Sequence, residues 1–358
     1  MGSIAPTQYW KKLADSKVQC NLCPRHCKLV EGQHGFCFVR ACQNGAIVLT
    51  TYGRASGFCV DPIEKKPLFH FLPGTPVLSF GTAGCNLGCQ FCQNWSISRS
   101  RETDTLGDDA APERIAKAAK ELGARSVAFT YNEPHIFHEY AIDTAKACHK
   151  LGIKTVAVTA GYVCAEPRKE FYAWMDAANV DLKGFTEDFY KKYTDSALQP
   201  VLETLLHLKH ETKAWFEITT LLIPGLNDSE KEIRAMTDWI VKNLGQDVPL
   251  HFTAFHPDYK MIDLEPTPVL TLQKARKIAL ASGLHYCYTG NVENSEGETT
   301  FCHGCGKTLI VRHGYSIREW HLKEGKCKFC GALCAGIFEE KPGTWDSKRL
   351  PVRLNAFP

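Results

Sequence analysis

Residues 80–95 read FGTAGCNLGCQFCQNW, and this nearly uncharged stretch guides the interpretation of the whole chain. Its three cysteines, Cys85, Cys89 and Cys92, follow the spacing Cys-x3-Cys-x2-Cys. A structural zinc site needs four protein ligands, whereas three thiolates on an iron–sulfur cube leave one iron open to a further ligand. The alternatives are three buried apolar thiols, or half of a zinc site that is completed from elsewhere in the chain. The crowding of cysteines and glycines favours a loop that holds an open metal cluster.

Length and composition describe a large globular chain. Its 358 residues are 44% hydrophobic, which is enough for one large core with smaller satellites. The formal net charge is +3, with 42 basic residues against 39 acidic ones, which is not the basic footprint of a nucleic-acid-binding protein. No apolar run approaches the ~18 residues of a membrane span, and the N-terminal residues lack the core of a signal peptide. We therefore expect a cytoplasmic protein that binds neither nucleic acid nor membrane.

The 17 cysteines are grouped in metal-like spacings, so reduced thiols and metals explain them better than disulfides. A cysteine-rich leader contains four that can close one tetrahedral site: Cys20, Cys23, Cys27 and Cys37. Zinc and a second, fully ligated iron–sulfur cluster both suit four thiolates, and Cys42 is either a spare thiol or an alternative ligand. Two later Cys-x2-Cys pairs predict a zinc ribbon with hairpin strands at 308–312 and 316–321: Cys302 with Cys305, and Cys327 with Cys330.

From residue 77 onward, short apolar runs alternate with segments of helical periodicity. Strands are predicted at 77–80, 126–130, 153–159, 178–182, 215–222, 250–255 and 286–289. Two helices have clear apolar stripes, one with Pro112 near its start and one opened by a capping box from Ser229 to Glu232. This alternation indicates an α/β fold with parallel strands, and both a doubly wound sheet and a barrel fit it. The chain divides into a cysteine-rich metal-binding leader (1–75), an α/β domain (76–292) and a zinc-ribbon domain with its tail (293–358).

Polar residues follow several of the predicted strands. Glu133 suits a substrate ammonium group, although a solvated loop acid explains it equally well. Asp181 and Lys183 point the same way by strand alternation, and an ion pair between them either orients a ligand or fixes the strand end. His256 follows the run at 250–255 and is a substrate-pocket candidate by position, together with Asp258 and Tyr259.

With Phe91 before the third cysteine, the loop reads Cys-x3-Cys-x-aromatic-Cys and resembles the signature of radical S-adenosylmethionine (SAM) enzymes. The resemblance implies a partial (β/α)6 TIM-type barrel with active residues at the carboxyl ends of its strands. It also implies a 4Fe-4S cluster on Cys85, Cys89 and Cys92, whose open iron chelates SAM. By resemblance and position, the residues expected at the cofactor are Phe91, Asn132, Glu133, Thr159, Asp181, Lys183 and His256.

The order of motifs along the chain resembles the radical SAM component of the AmmeMemoRadiSam system, which is related to pyruvate formate-lyase (glycyl-radical enzyme) activating enzymes. This resemblance implies reduction by a flavodoxin or ferredoxin, reductive cleavage of SAM, and a 5′-deoxyadenosyl radical that abstracts a hydrogen atom. Partners from the AmmeMemoRadiSam system are then expected. The substrate stays open between a glycyl-radical enzyme and another peptide or small molecule. An alternative of a different class is a non-catalytic iron–sulfur and zinc protein that carries electrons or docks a partner.

Overall fold

The computed structural model describes residues 3–100 and 108–357, and within these ranges seven parallel strands form the central sheet. In chain order they are β1 (Pro76–Gly81), β2 (Ser126–Phe129), β3 (Lys154–Thr159), β4 (Ala177–Asp181), β5 (Trp215–Leu222), β6 (Leu250–Ala254) and β7 (Cys287–Gly290). Every strand prediction agrees with the structure to within one residue at each end. Parallel strands that are covered on both faces consist almost entirely of apolar residues. Such apolar runs can be recognised in the sequence, which is why the strands were predicted correctly.

Each parallel strand pairs with the next one along the chain, so the sheet order runs from β1 to β7. A doubly wound sheet instead reverses its order at a switch point, and this sheet is therefore wound in one direction. The seven parallel strands of the described chain are one more than the resemblance implies. Beyond β1 the sheet continues with the antiparallel strand Arg54–Pro62, which also pairs with Leu350–Pro351 and Asp108–Asp109.

Helices connect the parallel strands. They are α1 (Pro112–Glu121), α2 (His138–Lys150), α3 (Ala165–Tyr172), α4 (Gln199–Glu211), α5 (Glu230–Leu244) and α6 (Val269–Ala281). Shorter segments are Trp95–Ser98, Glu187–Phe189, Ser295–Glu298, the π-helical Tyr190–Thr194 and the 3-10 turns Ile63–Lys65, Pro134–Phe137 and Leu354–Ala356. Ser229 caps α5 by accepting from the Glu232 amide at 3.2 Å. The Glu232 carboxylate, however, accepts from the Phe185 amide at 2.7 Å, so only half of the predicted capping box forms.

The leader folds into two small antiparallel sheets. One contains Ser3–Pro6, Arg40–Gln43 and Ala46–Tyr52, and the other contains Trp10–Lys12, Val18–Cys20 and Lys28–Leu29. The buried Arg40 side chain fastens the leader to α2 through a 2.5 Å ion pair with Glu139 and a 3.0 Å hydrogen bond to the Ile136 carbonyl. Because a buried guanidinium is costly to leave unpaired, this contact packs the leader firmly on the α/β domain.

The C-terminal region has its own antiparallel strands, which agree closely with the predicted hairpin. They are Thr300–Phe301, Thr308–His313 and Ser316–Trp320, followed by the pair Leu322–Lys323 and Lys326–Cys327. Buried Arg312 donates to the Phe69 carbonyl at 2.7 Å. Glu217 of β5 accepts from the amides of Phe69 and His70 at 3.0 and 2.7 Å. The connection around Phe69 therefore ties the C-terminal region to the central sheet.

Two further observations concern the state of the cysteines and the length of the helices. All 17 cysteines lie in the described ranges and are free thiols. Each helix in those ranges is too short or too polar to cross a bilayer. The thiols are therefore available as metal ligands.

Candidate active site

A cavity of about 300 Å³ opens where the parallel strands end. Every parallel strand contributes to its lining, either from its own last residues or from the loop that follows. The loop after β1 contributes the three cysteines, and later segments contribute 130–133, 158–160, Asp181, Lys183, Thr219, Leu221, Thr253 and Asn291. The candidate cluster and cofactor residues, except His256, therefore meet at one place, and the pocket candidates Asp258 and Tyr259 also lie outside this lining.

The cysteine loop follows β1 and forms one wall of the cavity. Gly84 has a φ of +83°, and a Cβ there would lie 2.0 Å from the Cys37 carbonyl oxygen. At Gly88 the requirement is space, because a Cβ would lie 2.7 Å from the Cβ of Asp195. The Gly88 amide donates to the Thr194 carbonyl at 2.7 Å. The two glycines thus let the loop pass between the leader and the π-helical turn.

Asn132 holds the start of this loop in place. Its Oδ1 accepts from the Thr82 amide at 3.1 Å, and its Nδ2 donates to the Gly84 carbonyl at 2.8 Å. Nδ2 also lies 3.3 Å from the Ala83 carbonyl and 3.2 Å from the Thr82 hydroxyl. The side chain lines the cavity, as its expected contact with a cofactor requires. Its role in bracing the loop was not predicted, because the contact joins two segments that are distant in sequence.

Glu133 is buried beside Asn132 and already has several protein partners. Its carboxylate accepts from Thr159 Oγ1 at 2.6 Å, from the Ala160 amide at 2.7 Å, and lies 2.5 Å from His135 Nδ1. Burial alone would raise the pKa of Glu133, but the His135 ring and these hydrogen bonds outweigh it and lower the pKa. Glu133 is therefore an anion with a fixed orientation in the cavity wall.

Asp181 and Lys183 form an ion pair at the end of β4. Lys183 Nζ lies 2.8 Å from Asp181 Oδ2, and both side chains line the cavity. Burial by itself lowers the pKa of Lys183, whereas the charge of Asp181 raises it above its ordinary value. The strand alternation therefore brings a stable cation near Cys89, with a carboxylate beside it.

The other candidates divide into two groups. Phe91 is buried and lines the cavity, and Thr159 does so while orienting Glu133. His256 is exposed and stands apart from the cavity lining in the described structure. Its neighbour Asp258 accepts from Trp95 Nε1 at 3.1 Å, so the segment after β6 packs against the end of the cysteine loop.

Thr219 brings a threonine side chain to the cavity wall. It lines the cavity from β5, and its buried Oγ1 has no hydrogen-bond partner among the described residues. A buried hydroxyl without a partner costs about 1–3 kcal/mol, which a ligand can recover. The same cavity is lined by three soft thiol donors and by the charged groups of Glu133, Asp181 and Lys183. This set of donors fits an iron–sulfur cluster together with a polar organic ligand.

The remaining predicted metal ligands form two separate groups. The ligand atoms of Cys302, Cys305, Cys327 and Cys330 all lie within 4.8 Å of one another, which fits a metal ion. The leader cysteines surround a second, enclosed cavity behind the active-site loop: Cys20, Cys23, Cys27 and Cys37. Cys42 lies outside that lining, with its Sγ 3.8 Å from Glu31.

Comparison with known proteins identifies the class. The radical SAM superfamily profile matches residues 80–237, which include the cysteine loop, Glu133 and the Asp181–Lys183 pair. An uncharacterized protein of Methanocaldococcus jannaschii is 41% identical over 325 residues, covering 90% of this chain and 96% of that protein. The chain belongs to the radical SAM superfamily. It is accordingly an enzyme that uses an iron–sulfur cluster and SAM to generate a radical, and the non-catalytic alternative falls away.

Within the superfamily, the chain is similar to glycyl-radical activating enzymes. The 4-hydroxyphenylacetate decarboxylase activating enzyme of Clostridioides difficile is 25% identical over 295 residues, covering 77% of this chain and 90% of that enzyme. Among solved structures, a domain of pyruvate-formate lyase-activating enzyme from Bacteroides vulgatus aligns with 46% of this chain and 99% of its own, at 21% identity and a TM-score of 0.41.

Proposed function

We propose that this enzyme abstracts a hydrogen atom from a backbone glycine of a partner protein, as the radical SAM component of the AmmeMemoRadiSam system. The observation that carries the proposal is the single cavity in which three thiols face an anchored carboxylate and an ion pair. Similarity to activating enzymes supports the substrate class. When bound, the 4Fe-4S cluster and SAM supply a 5′-deoxyadenosyl radical through one-electron reduction by a flavodoxin or ferredoxin.

The protein's own residues have distinct roles in this proposal. Cys85, Cys89 and Cys92 bind the cluster as thiolates. Burial raises the pKa of Cys85 to about 11 and that of Cys89 to about 12, so loading the cluster releases protons from thiols that are otherwise neutral. Glu133 is suited to the SAM ammonium group because its pKa is lowered. Lys183 is suited to a carboxylate, with Asp181 limiting its motion.

The size of the cavity supports a protein substrate over a small molecule. Pockets that enclose a small ligand have volumes of about 300–1,000 Å³, and this cavity of about 300 Å³ lies at the lower limit. SAM alone would occupy most of it. A second reactant must then enter from the open end, and a flexible glycine-containing loop can reach inward without being enclosed.

The finer architecture belongs to the same proposal. Seven parallel strands laid flat would span roughly 29 Å, yet all of them contribute lining to one cavity, which supports a curved, partial TIM-type barrel. Zinc in the C-terminal group is supported by Sγ separations of 3.6 Å for Cys302–Cys330 and 3.8 Å for Cys305–Cys327. Tetrahedral Zn–S bonds of about 2.3 Å require S–S distances of about 3.8 Å along the edges of the tetrahedron.

We also infer that the leader binds a metal and that the protein is cytoplasmic. The proposed domains are 1–75, 76–292 and 293–358.

The first experiment tests SAM cleavage. Anaerobically reconstituted protein with SAM and dithionite should release 5′-deoxyadenosine. Cys89→Ala should abolish this product while the C-terminal zinc stays bound, since the two cysteine groups are separate. Protein with an intact 4Fe-4S cluster and no product would contradict the proposed chemistry.

The second experiment tests the substrate. A candidate partner protein labelled with deuterium at its glycine Cα positions should transfer deuterium into 5′-deoxyadenosine and develop a glycyl-radical signal in electron paramagnetic resonance (EPR). A matched substrate with the target glycine replaced by alanine serves as the control. Deuterium transfer from a small metabolite, with none from any glycine-labelled partner, would exclude the activating function and leave SAM cleavage intact.

A further inference from the structure

The leader contains a second cysteine site that the proposed radical chemistry does not use. Its cavity is enclosed by the leader cysteines Cys20, Cys23, Cys27 and Cys37, with the remaining lining from Leu22, Arg25, Gly35, Arg40, Asn86 and Ile136. Cys20, Cys23 and Cys37 are each at most 9% exposed, and Cys27 is half-buried. The Phe36 amide points at Cys27 Sγ, at 3.5 Å. An amide donor of this kind stabilises a metal-bound thiolate.

The spacing of the leader thiols distinguishes a cluster from a single metal ion. In the C-terminal group, four Sγ atoms lie within 4.8 Å of one another, as one tetrahedral ion requires. No three of the leader thiols, all of which the structure describes, meet that limit. The same holds for the described thiols of Cys85, Cys89 and Cys92. An iron–sulfur cube binds its thiolates on different irons, so their sulfur atoms lie farther apart than around a single ion. The leader thiols share this wider separation with the three cysteines of the SAM loop.

The charges around the cavity also suit a cluster with four thiolates. Such a group is an anion, and two guanidinium groups face the cavity, from Arg25 and Arg40. Arg40 is itself buried and paired with Glu139, and Arg25, which donates to the active-site loop, lies 3.3 Å from the exposed Asp195 carboxylate, so each guanidinium divides its charge between a carboxylate and the cavity. Burying an anion without such partners would be costly.

The leader cavity lies directly behind the SAM loop. Asn86 follows Cys85 in the loop and lines the leader cavity, while Cys85 lines the active-site cavity. On the same side, the Cys37 carbonyl packs against Gly84 so closely that a Cβ would be 2.0 Å away. The two cysteine sites are thus separated by little more than the backbone of one loop.

We propose that Cys20, Cys23, Cys27 and Cys37 bind a second iron–sulfur cluster, fully ligated by protein thiolates and placed behind the loop of the SAM cluster. Because its ligands are complete, this cluster does not bind SAM. The inference goes beyond the proposed function and does not depend on the substrate.

Metal and sulfide analysis of the whole chain is the first test of the proposed second cluster. The chain is purified without oxygen and analysed for iron, acid-labile sulfide and zinc. One cube on the SAM loop accounts for about four irons per chain, and we expect clearly more, with about one zinc. In Mössbauer spectra, SAM should perturb only part of the iron. About four irons with two zincs per chain would overturn the inference.

A set of variants locates the additional iron. Cys85→Ala/Cys89→Ala/Cys92→Ala removes the SAM-loop ligands, and we expect it to retain iron and sulfide with an EPR signal that SAM leaves unchanged. Adding Cys23→Ala should remove that iron. Adding Cys42→Ala instead should keep it, because this buried leader cysteine lies outside the cavity lining. A triple variant that folds with zinc in place of iron would overturn the inference, and no readout requires SAM cleavage.

Discussion

At the scale of single residues, Thr219 and Thr220 distinguish ligand binding from stability. They are neighbours on β5, so their side chains face opposite sides of the sheet. Thr219 lines the cavity with an Oγ1 that lacks a partner among the described residues. Thr220 Oγ1 donates to the Leu182 carbonyl at 2.8 Å. We therefore expect the Thr219 hydroxyl to contribute to ligand binding and the Thr220 hydroxyl to contribute to the stability of the fold.

We expect Thr219→Val to leave the free energy of unfolding of the ligand-free protein unchanged or to raise it by about 1 kcal/mol, because an unpaired hydroxyl is removed. The same change should weaken SAM binding about 2- to 10-fold, the equivalent of one hydrogen bond. Thr220→Val should lower stability by about 1 kcal/mol and leave SAM affinity alone. Denaturant unfolding and calorimetric titration measure both quantities. Equal behaviour of the two variants would refute this division of roles.

At the scale of elements, the cysteine loop depends on the π-helical turn Tyr190–Thr194. Gly88→Ala would bring a Cβ within 2.7 Å of Asp195 Cβ and 3.4 Å of the Thr194 carbonyl oxygen. The loop must then move away, and we expect iron to be lost from the SAM site while C-terminal zinc stays bound. Asp195 has a φ of +50°, which glycine adopts readily. Gly88→Ala/Asp195→Gly should restore the iron content, and a failure of this rescue would contradict the steric explanation.

The C-terminal metal group is the most accessible of the three cysteine groups. Cys305 and Cys330 are exposed, whereas Cys20, Cys23 and Cys37 are buried. A zinc chelator should therefore remove the C-terminal metal first and leave the iron and SAM cleavage in place. Cys305→Ser should imitate this loss, with Cys59→Ser as a control at a cysteine outside the metal groups. Simultaneous loss of zinc and iron would indicate that the sites are coupled.

The elements were largely predictable from the sequence, and the contacts between them were not. Apolar runs located all seven parallel strands, and strand alternation placed Asp181 and Lys183 on one side. Asn132 was recognised only as a cofactor candidate, since its bonds to the cysteine loop require the tertiary fold. In the sequence Gly88 is only one of the crowded glycines of the loop, whereas the structure shows that close packing on Asp195 requires a glycine at this position. Arg54–Pro62 was part of the leader range, and its place in the central sheet depends on pairing with β1.

At the scale of the whole molecule, arginines join the leader and the C-terminal region to the α/β domain. Arg40 reaches α2, and Arg312 reaches the connection at Phe69. Arg25 makes the contact nearest to the chemistry. Its Nε donates to the Asn86 carbonyl in the cysteine loop, and its Nη2 donates to the Asp195 carbonyl. The guanidinium also lies 3.4 Å from the centre of the Phe36 ring.

Arg25→Lys tests whether the leader stabilises the cluster loop. Lysine keeps the charge but has a single nitrogen, so it cannot donate to Asn86 and Asp195 in the fixed fork of an arginine. We expect iron to leave the SAM site faster and SAM cleavage to slow, with a loss of about 1–3 kcal/mol in stability. Arg114→Lys is the matched control, because Arg114 also donates to a carbonyl, that of Asp109 at 2.9 Å, but at the exposed start of α1. Iron loss at the wild-type rate in Arg25→Lys, or equal iron loss in both variants, would contradict a stabilising role of the leader. A selective effect would mean that the leader stabilises the active-site loop from behind.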